Sequence, residues 1–239
     1  MIKRYILIIA LITASLNGMA QSWQFGVKGT FNFNWLLNNN LALENMTDKM
    51  SFGYSQGASI GFNLHEDNYY NRPCYGFYLE YYYESHNQSY AYCNPVDTLN
   101  LNCFSSAVHI NMSTIPLLFR AKTESGLYCE MGPQLNLIET VTSDYYSNNN
   151  PELNYKGKNT ISTYNKTTFS FVFGAGIESK LVGNDWLIET GVRGSYGLQD
   201  VKLNSGVTVN KSKTTLADAG VLIGLIYKLN YYHIKRRGH

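Results

Sequence analysis

From Trp23 onward the chain alternates. Trp23, Phe25, Val27, Gly29, Phe31, Phe33 and Trp35 interleave with Gln24, Gly26, Lys28, Thr30, Asn32 and Asn34. A period of two places successive side chains on opposite faces of a strand. The pattern recurs with Phe52, Tyr54, Ala58, Ile60, Phe62 and Leu64 against a face of Ser, Gly and Asn, and with Tyr75, Phe77, Leu79, Tyr81 and Tyr83 against Gly76, Tyr78, Glu80, Tyr82 and Glu84. A fourth strand carries Val108, Ile110 and Met112 on its apolar face and is expected to change phase at a bulge near Ile115-Pro116, because proline inside a strand marks a bulge or an edge. Four more strands follow around Leu127–Leu137, Phe169–Ile177, Trp186–Tyr196 and Ala219–Tyr227, and no helix is predicted. The connections alternate too. Those near 36–50, 85–103, 140–166 and 198–213 are long and Asn-rich; those near 65–73, 122–126 and 181–185 are short.

Alternation alone suits either a soluble barrel with an apolar pocket or a membrane barrel with an apolar exterior. The polar face decides between them. It is mostly Gly, Ser, Thr and Asn rather than the Lys and Glu of a water-facing wall, which suits a cramped interior. Trp23 and Trp35 are twelve residues apart, a span that at ~3.3 Å per residue and ~40° of tilt projects to roughly 30 Å, about the height of a lipid-facing band with its aromatic girdles. The expected fold is therefore all-β, an eight-stranded antiparallel up-and-down transmembrane β-barrel with long extracellular loops and short periplasmic turns. Residues 153–166 leave room for one more hairpin, which would make ten strands.

Residues 1–20 read as a signal peptide, with Lys3 and Arg4 before an apolar run and Gly18-Met19-Ala20 before the cleavage point. The barrel domain is then 21–229, and 230–239 is a basic tail holding Lys235, Arg236 and Arg237. Of the 239 residues 14% are aromatic, with 20 Tyr and only 5 Pro, which argues against disorder. The net charge of +2 offers no argument for nucleic acid. A mean hydropathy of −0.23 argues against a helical polytopic membrane protein and leaves a barrel open.

Phe25-Gly26-Val27-Lys28-Gly29 with Asn32, Ile115-Pro116-Leu117-Leu118-Phe119-Arg120, Met131-Gly132-Pro133 and Leu225-Ile226-Tyr227-Lys228-Leu229 together resemble the PorT-type outer-membrane β-barrel family. The resemblance implies the outer membrane and, in its narrowest form, a part in protein export. The basic tail departs from the terminal aromatic usual in such barrels.

Phosphate-loop, zinc-spacing and serine-elbow motifs are missing from the sequence, so no cofactor and no catalytic residue is assigned. Lys28, Glu80, Glu130, Glu178, Glu189, Arg193, Asp218 and Lys228 all fall in the inward phase, joined by Arg120 if the bulge lies at Pro116. Charges in a narrow lumen must pair. Glu178 and Glu189 flank the short turn near 183, and Lys28 or Lys228 is expected to bridge them. His86 and His109 lie toward the extracellular end and are read as satisfied or solvated. Pairing about a tip at Thr98 opposes Cys93 and Cys103, so a disulfide is expected there, whereas Cys74 and Cys129 sit on non-adjacent strands and opposite faces. The expected role is structural, or a binding or accessory one in the envelope, with outer-membrane lipid and an envelope protein as partners. The alternatives are an enzyme acting on lipid or peptide at the extracellular rim and a small pore.

Overall fold

The computed structural model describes residues 22–38, 47–49, 51–64, 73–93, 103–148, 150–182, 185–203 and 214–230. The predicted signal peptide and nearly all of the basic tail lie outside them. Ten strands run in chain order: β1 (Ser22–Asn38), β2 (Thr47–Lys49), β3 (Ser51–Asn63), β4 (Cys74–Cys93), β5 (Cys103–Lys122), β6 (Leu127–Ser147), β7 (Tyr155–Asn159), β8 (Thr167–Val182), β9 (Trp186–Gly197) and β10 (Thr214–Asn230). Eight of them close a ring in the order β1-β3-β4-β5-β6-β8-β9-β10, every pair antiparallel, with β10 returning to β1. Closure matters because each inner strand edge finds a partner. The fold is an eight-stranded antiparallel up-and-down barrel. The remaining two strands stay outside the ring: β2 pairs with β4 at Ser89–Ala91, and β7 pairs with the far end of β6. The hairpin that 153–166 left open is thus an appendage, with a 3-10 turn on either side of β7.

Burial alternates along the strands as the sequence predicts. On β3, Phe52, Tyr54 and Ile60 are exposed while Ser51, Ser55 and Ser59 are buried; on β10, Val221, Ile223 and Leu225 are exposed opposite buried Leu222 and Ile226. The apolar exterior is ringed by aromatic contacts at the end that carries the Thr123–Gly126 turn. Trp23 packs on Phe62, Tyr75 on Phe119 and Trp186 on Tyr227.

Two expectations fail together on β5. Pro116 interrupts pairing with β4 between Leu117 and Thr114 without changing the register, since its missing N–H removes a ladder bond but inserts no residue. The register shift lies instead between Asn111 and Met112, where Asn111 pairs with Thr140 but Met112 with Ile138, so the extra residue is Glu139 on β6. β5 therefore keeps one phase. Val108, Ile110 and Met112 face inward and are buried, not exposed to lipid, and Arg120 is inward without help from a bulge.

The strands also run further than predicted. β3 pairs with β4 only as far as Tyr54 opposite Ser85, and β8 with β6 only to Thr167 opposite Leu137. β4, β5 and β6 continue past these points as a three-stranded sheet, with residues 138–147 of β6 adding on the order of 30 Å of strand at ~3.3 Å per residue.

Candidate functional site

The interior is layered along the barrel axis. Nearest the turn end is a charge network built on inward positions of six different strands. Arg120 donates from Nε and Nη2 to Glu130 Oε2 at 3.0 and 2.6 Å, from Nη1 to Glu178 Oε1 at 2.6 Å and from Nη2 to Glu189 Oε1 at 2.7 Å. Its guanidinium carbon lies 4.2 Å from the centre of the Tyr78 ring and 4.0 Å from that of Tyr128. The fork is thus satisfied in its plane and covered on its faces. Lys122 donates to Glu178 Oε2 at 3.1 Å, and Lys28 lies 2.6 Å from Glu80 Oε1 and 2.9 Å from Glu189 Oε2. Arg193 closes the circuit, donating to Glu80 Oε2 at 2.6 Å, to Glu130 Oε1 at 2.5 and 2.9 Å and to the Tyr82 hydroxyl at 3.0 Å. Among the described residues these pairs join four cations, Lys28, Arg120, Lys122 and Arg193, to four carboxylates, Glu80, Glu130, Glu178 and Glu189. The network is neutral.

Local structure sets its register. Gly126 at φ +87° turns the chain between β5 and β6, and the Glu178 amide donates to the Gly126 carbonyl at 2.9 Å, which fixes the depth of Glu178. Glu178 and Glu189 are cross-strand partners, as expected. Their bridge is not the expected one: Arg120 joins them, while Lys28 ties Glu189 to Glu80 and Lys228 is buried in the wall nearer the turn end. Arginine takes the position because three carboxylates converge there and only a fork with several donors in one plane can serve them all. The sequence pattern ends this strand in a turn at 122, so alternation alone does not place Lys122 among the inward charges.

Above this level lie Glu84, His86 and Asp218. One ligand atom from each falls within 4.8 Å of the others. Asp218 accepts a hydrogen bond from the Ser195 hydroxyl and stands apart from the ion pairs with which it was grouped. His86 is fully buried, and neither ring nitrogen has a hydrogen-bond partner, so it is neither satisfied nor solvated as expected. The signal was present in the sequence: His86 and Gln88 continue the inward alternation of Glu80, Tyr82 and Glu84 along β4, beyond the point where the pattern predicts a loop.

The far end is closed by apolar packing. Inward-facing Leu36, Val108, Ile110, Met112, Ile138, Val141 and Leu216 meet Tyr164 and Val201, which come from the two connections flanking β8 and β9. A bridge between Tyr164 and Lys202 and a bond from the Asn165 amide to the Val201 carbonyl, 2.9 Å, hold those connections across the mouth. Burial pushes the Tyr164 phenol up to about 12.

Outside the cap, the projecting β4–β6 sheet and β7 form a platform. Tyr145 stacks between Phe104 and Tyr155 at 5.9 and 5.8 Å. Beside them a cleft of about 620 Å³ is lined by Tyr90, Asp144, Tyr145, Tyr146, Tyr155 and Lys156 among others. His109 borders this region with Nδ1 2.8 Å from Asn87 Oδ1 and Nε2 3.6 Å from Asp144 Oδ2, a pairing that sequence separation concealed. Cys93 and Cys103 are register partners at the tip of β4 and β5, while Cys74 is buried and Cys129 exposed on strands that do not touch.

A closed ring of eight strands with an apolar exterior, a charge-filled lumen and a capped mouth defines the class of small β-barrels. Among the described residues no helix is long and apolar enough to cross a membrane, which says nothing about strands. No protein-family model matches the chain, and no curated protein matches it by sequence. Among solved structures, the N-terminal β-barrel domain of Pseudomonas aeruginosa OprF is 13% identical with a TM-score of 0.41, over 88% of this chain and 98% of that one. Neisserial surface protein A is 12% identical at 0.39, over 87% and 97%, and OprG from Pseudomonas aeruginosa is 13% identical at 0.36, over 88% and 98%.

Proposed function

We propose that the chain is an integral outer-membrane barrel that does not conduct and that presents a binding platform at the cell surface, as a structural or accessory part of the envelope. The observation that carries this reading is the neutral network of eight charged side chains filling a lumen that, with eight strands, has room for side chains only. A filled and capped lumen disfavours the pore reading. The surface loops and the β4–β6 sheet then offer the exposed aromatic and polar groups that a partner would meet, Tyr146, Tyr155 and Lys156 among them. Its finer form follows the PorT-type motifs: the partner is a component of an envelope machine. The enzyme alternative would draw on His86 and His109; His86 is fully buried, and His109 directs Nδ1 at Asn87 and Nε2 toward Asp144 rather than toward a nucleophile.

The test pairs two measurements on the full chain. Refolded protein in a planar bilayer is expected to give no discrete conductance steps. Photo-crosslinkers placed at Tyr146 and Tyr155 in intact cells are expected to yield a discrete protein adduct that probes at the exterior positions Phe31 and Phe171 do not. Steady single-channel currents, or an absence of adducts at the platform, would reject the reading.

A further inference from the structure

The middle layer of the lumen has a charge imbalance that no ion pair among the described residues corrects. The network nearer the turn end matches four cations to four carboxylates, so its lysines and arginines are committed. Arg193 lines the same small cavity as Glu84 and Asp218, yet its guanidinium donates to Glu80 and Glu130. Two carboxylates therefore share a buried level with one imidazole and no committed cation, an arrangement that carries a large desolvation cost unless a positive charge joins it.

Two independent observations say that the positive charge is a ligand. His86 is fully buried with both ring nitrogens unpartnered, and Glu84 Oε1, 3.9 Å from His86 Nδ1, is unpartnered as well. Asn34, also fully buried, is the cross-strand neighbour of Asp218 on β1, and its Nδ2 reaches across Gly53 to the carbonyl of Ser85, the residue between Glu84 and His86. Gly53 permits this because a side chain there would collide with the Asn34 carboxamide. The Oδ1 of that carboxamide has no hydrogen-bond partner. Buried polar atoms are almost always paired, so a cluster of orphaned polar atoms on β4 and β1, beside Asp218 of β10, calls for a ligand.

We infer that Glu84, His86 and Asp218 form a divalent-metal site in the barrel lumen, with zinc as the metal the donor set suits best and Asn34 Oδ1 as a supporting oxygen. One imidazole and two carboxylates neutralise a dication and match the nitrogen and oxygen ligands of zinc, whereas calcium and magnesium take oxygens alone. Donor atoms within 4.8 Å of one another need to draw in by only about an ångström to surround an ion at ~2.0 to 2.2 Å. The adjoining cavity of about 20 Å³ has room for one water, which would take the fourth position. With the apolar cap directly above, the ion would act as a structural cross-link between β4 and β10, strands that are not neighbours in the ring.

The full chain, refolded in detergent micelles with Zn²⁺ or Co²⁺ present and then desalted, is expected to retain one equivalent of metal. Co²⁺ should show the visible absorption bands of a tetrahedral site, and metal should raise the thermal unfolding midpoint. Glu84→Gln, His86→Gln and Asp218→Asn, each confirmed as folded by heat-modifiable mobility, should each weaken binding tenfold or more, while His109→Ala should leave it unchanged. Failure of the wild-type chain to retain Zn²⁺ overturns the site outright. So does retention that survives all three substitutions, loss of retention in His109→Ala, or equally tight binding of Mg²⁺ or Ca²⁺.

Discussion

The guanidinium of Arg120 serves three carboxylates while two phenol rings cover its faces, and it is almost wholly buried. Removing one partner of a buried pair is expensive because the other charge stays behind without compensation, typically about 3–5 kcal/mol. Arg120→Met should therefore destabilise the barrel by about that amount, since Glu130, Glu178 and Glu189 all lose a donor. Lys28→Met should cost clearly less, because Glu80 keeps Arg193 and Glu189 keeps Arg120. Urea unfolding of both variants in the same detergent ranks them, and an equal or inverted order would show that Arg120 is not the hub. Smaller residues matter to the same layer: Gly176 and Gly191 lie beneath the Tyr128 hydroxyl, where an added Cβ would meet it at 2.6 and 2.9 Å.

At the level of elements, the cap and the projecting sheet make separate predictions. Tyr164 is neutral and buried in the closed cap, with its phenol held up near 12, whereas in an opened or unfolded chain it ionises near 10. Its contribution to closure is complete below pH 10 and is lost as pH rises from there toward 12, because the open form then gives up a proton that the closed form keeps. Between pH 9 and 11.5 the wild-type unfolding midpoint should fall further than that of Tyr164→Phe, and parallel curves would contradict this. The tip of β4 and β5 sets Cys93 opposite Cys103, at the cross-strand separation from which a disulfide can close. Peptide mapping without reductant is expected to find these two segments linked in protein from an oxidising envelope. Such a link would stabilise the projecting hairpin by roughly 3 kcal/mol in the chain-entropy model. Four free thiols in that protein would refute it.

For the molecule as a whole, the membrane assignment stands or falls on the exterior. Phe31 and Phe171 are exposed on β1 and β8, amid other exposed apolar side chains. Arginine at either position should cost ~2 to 4 kcal/mol near a bilayer midplane, and cysteine there should resist aqueous maleimide in vesicles. Rapid labelling at both would place this surface in water. Strand number, the inward and outward faces of β1, β3, β4, β8, β9 and β10, and the inward phase of Lys28, Glu80, Glu130, Glu178, Glu189, Arg193, Asp218 and Lys228 were determined by the sequence alone, because a period of two is a local property of the chain. Which charges meet was not local. Arg120 reaches Glu178 and Glu189 across 58 and 69 residues of chain, and only ring closure brings those strands to a common depth. The same holds for the bulge, which Pro116 advertised but Glu139 supplies, since pairing with a neighbour decides where an extra residue is absorbed. It holds most of all for Glu84, His86 and Asp218: alternation along β4 turns the first two inward, but it is the closed ring that sets them against β10 and leaves Glu84 Oε1 and both His86 nitrogens without a hydrogen-bond partner.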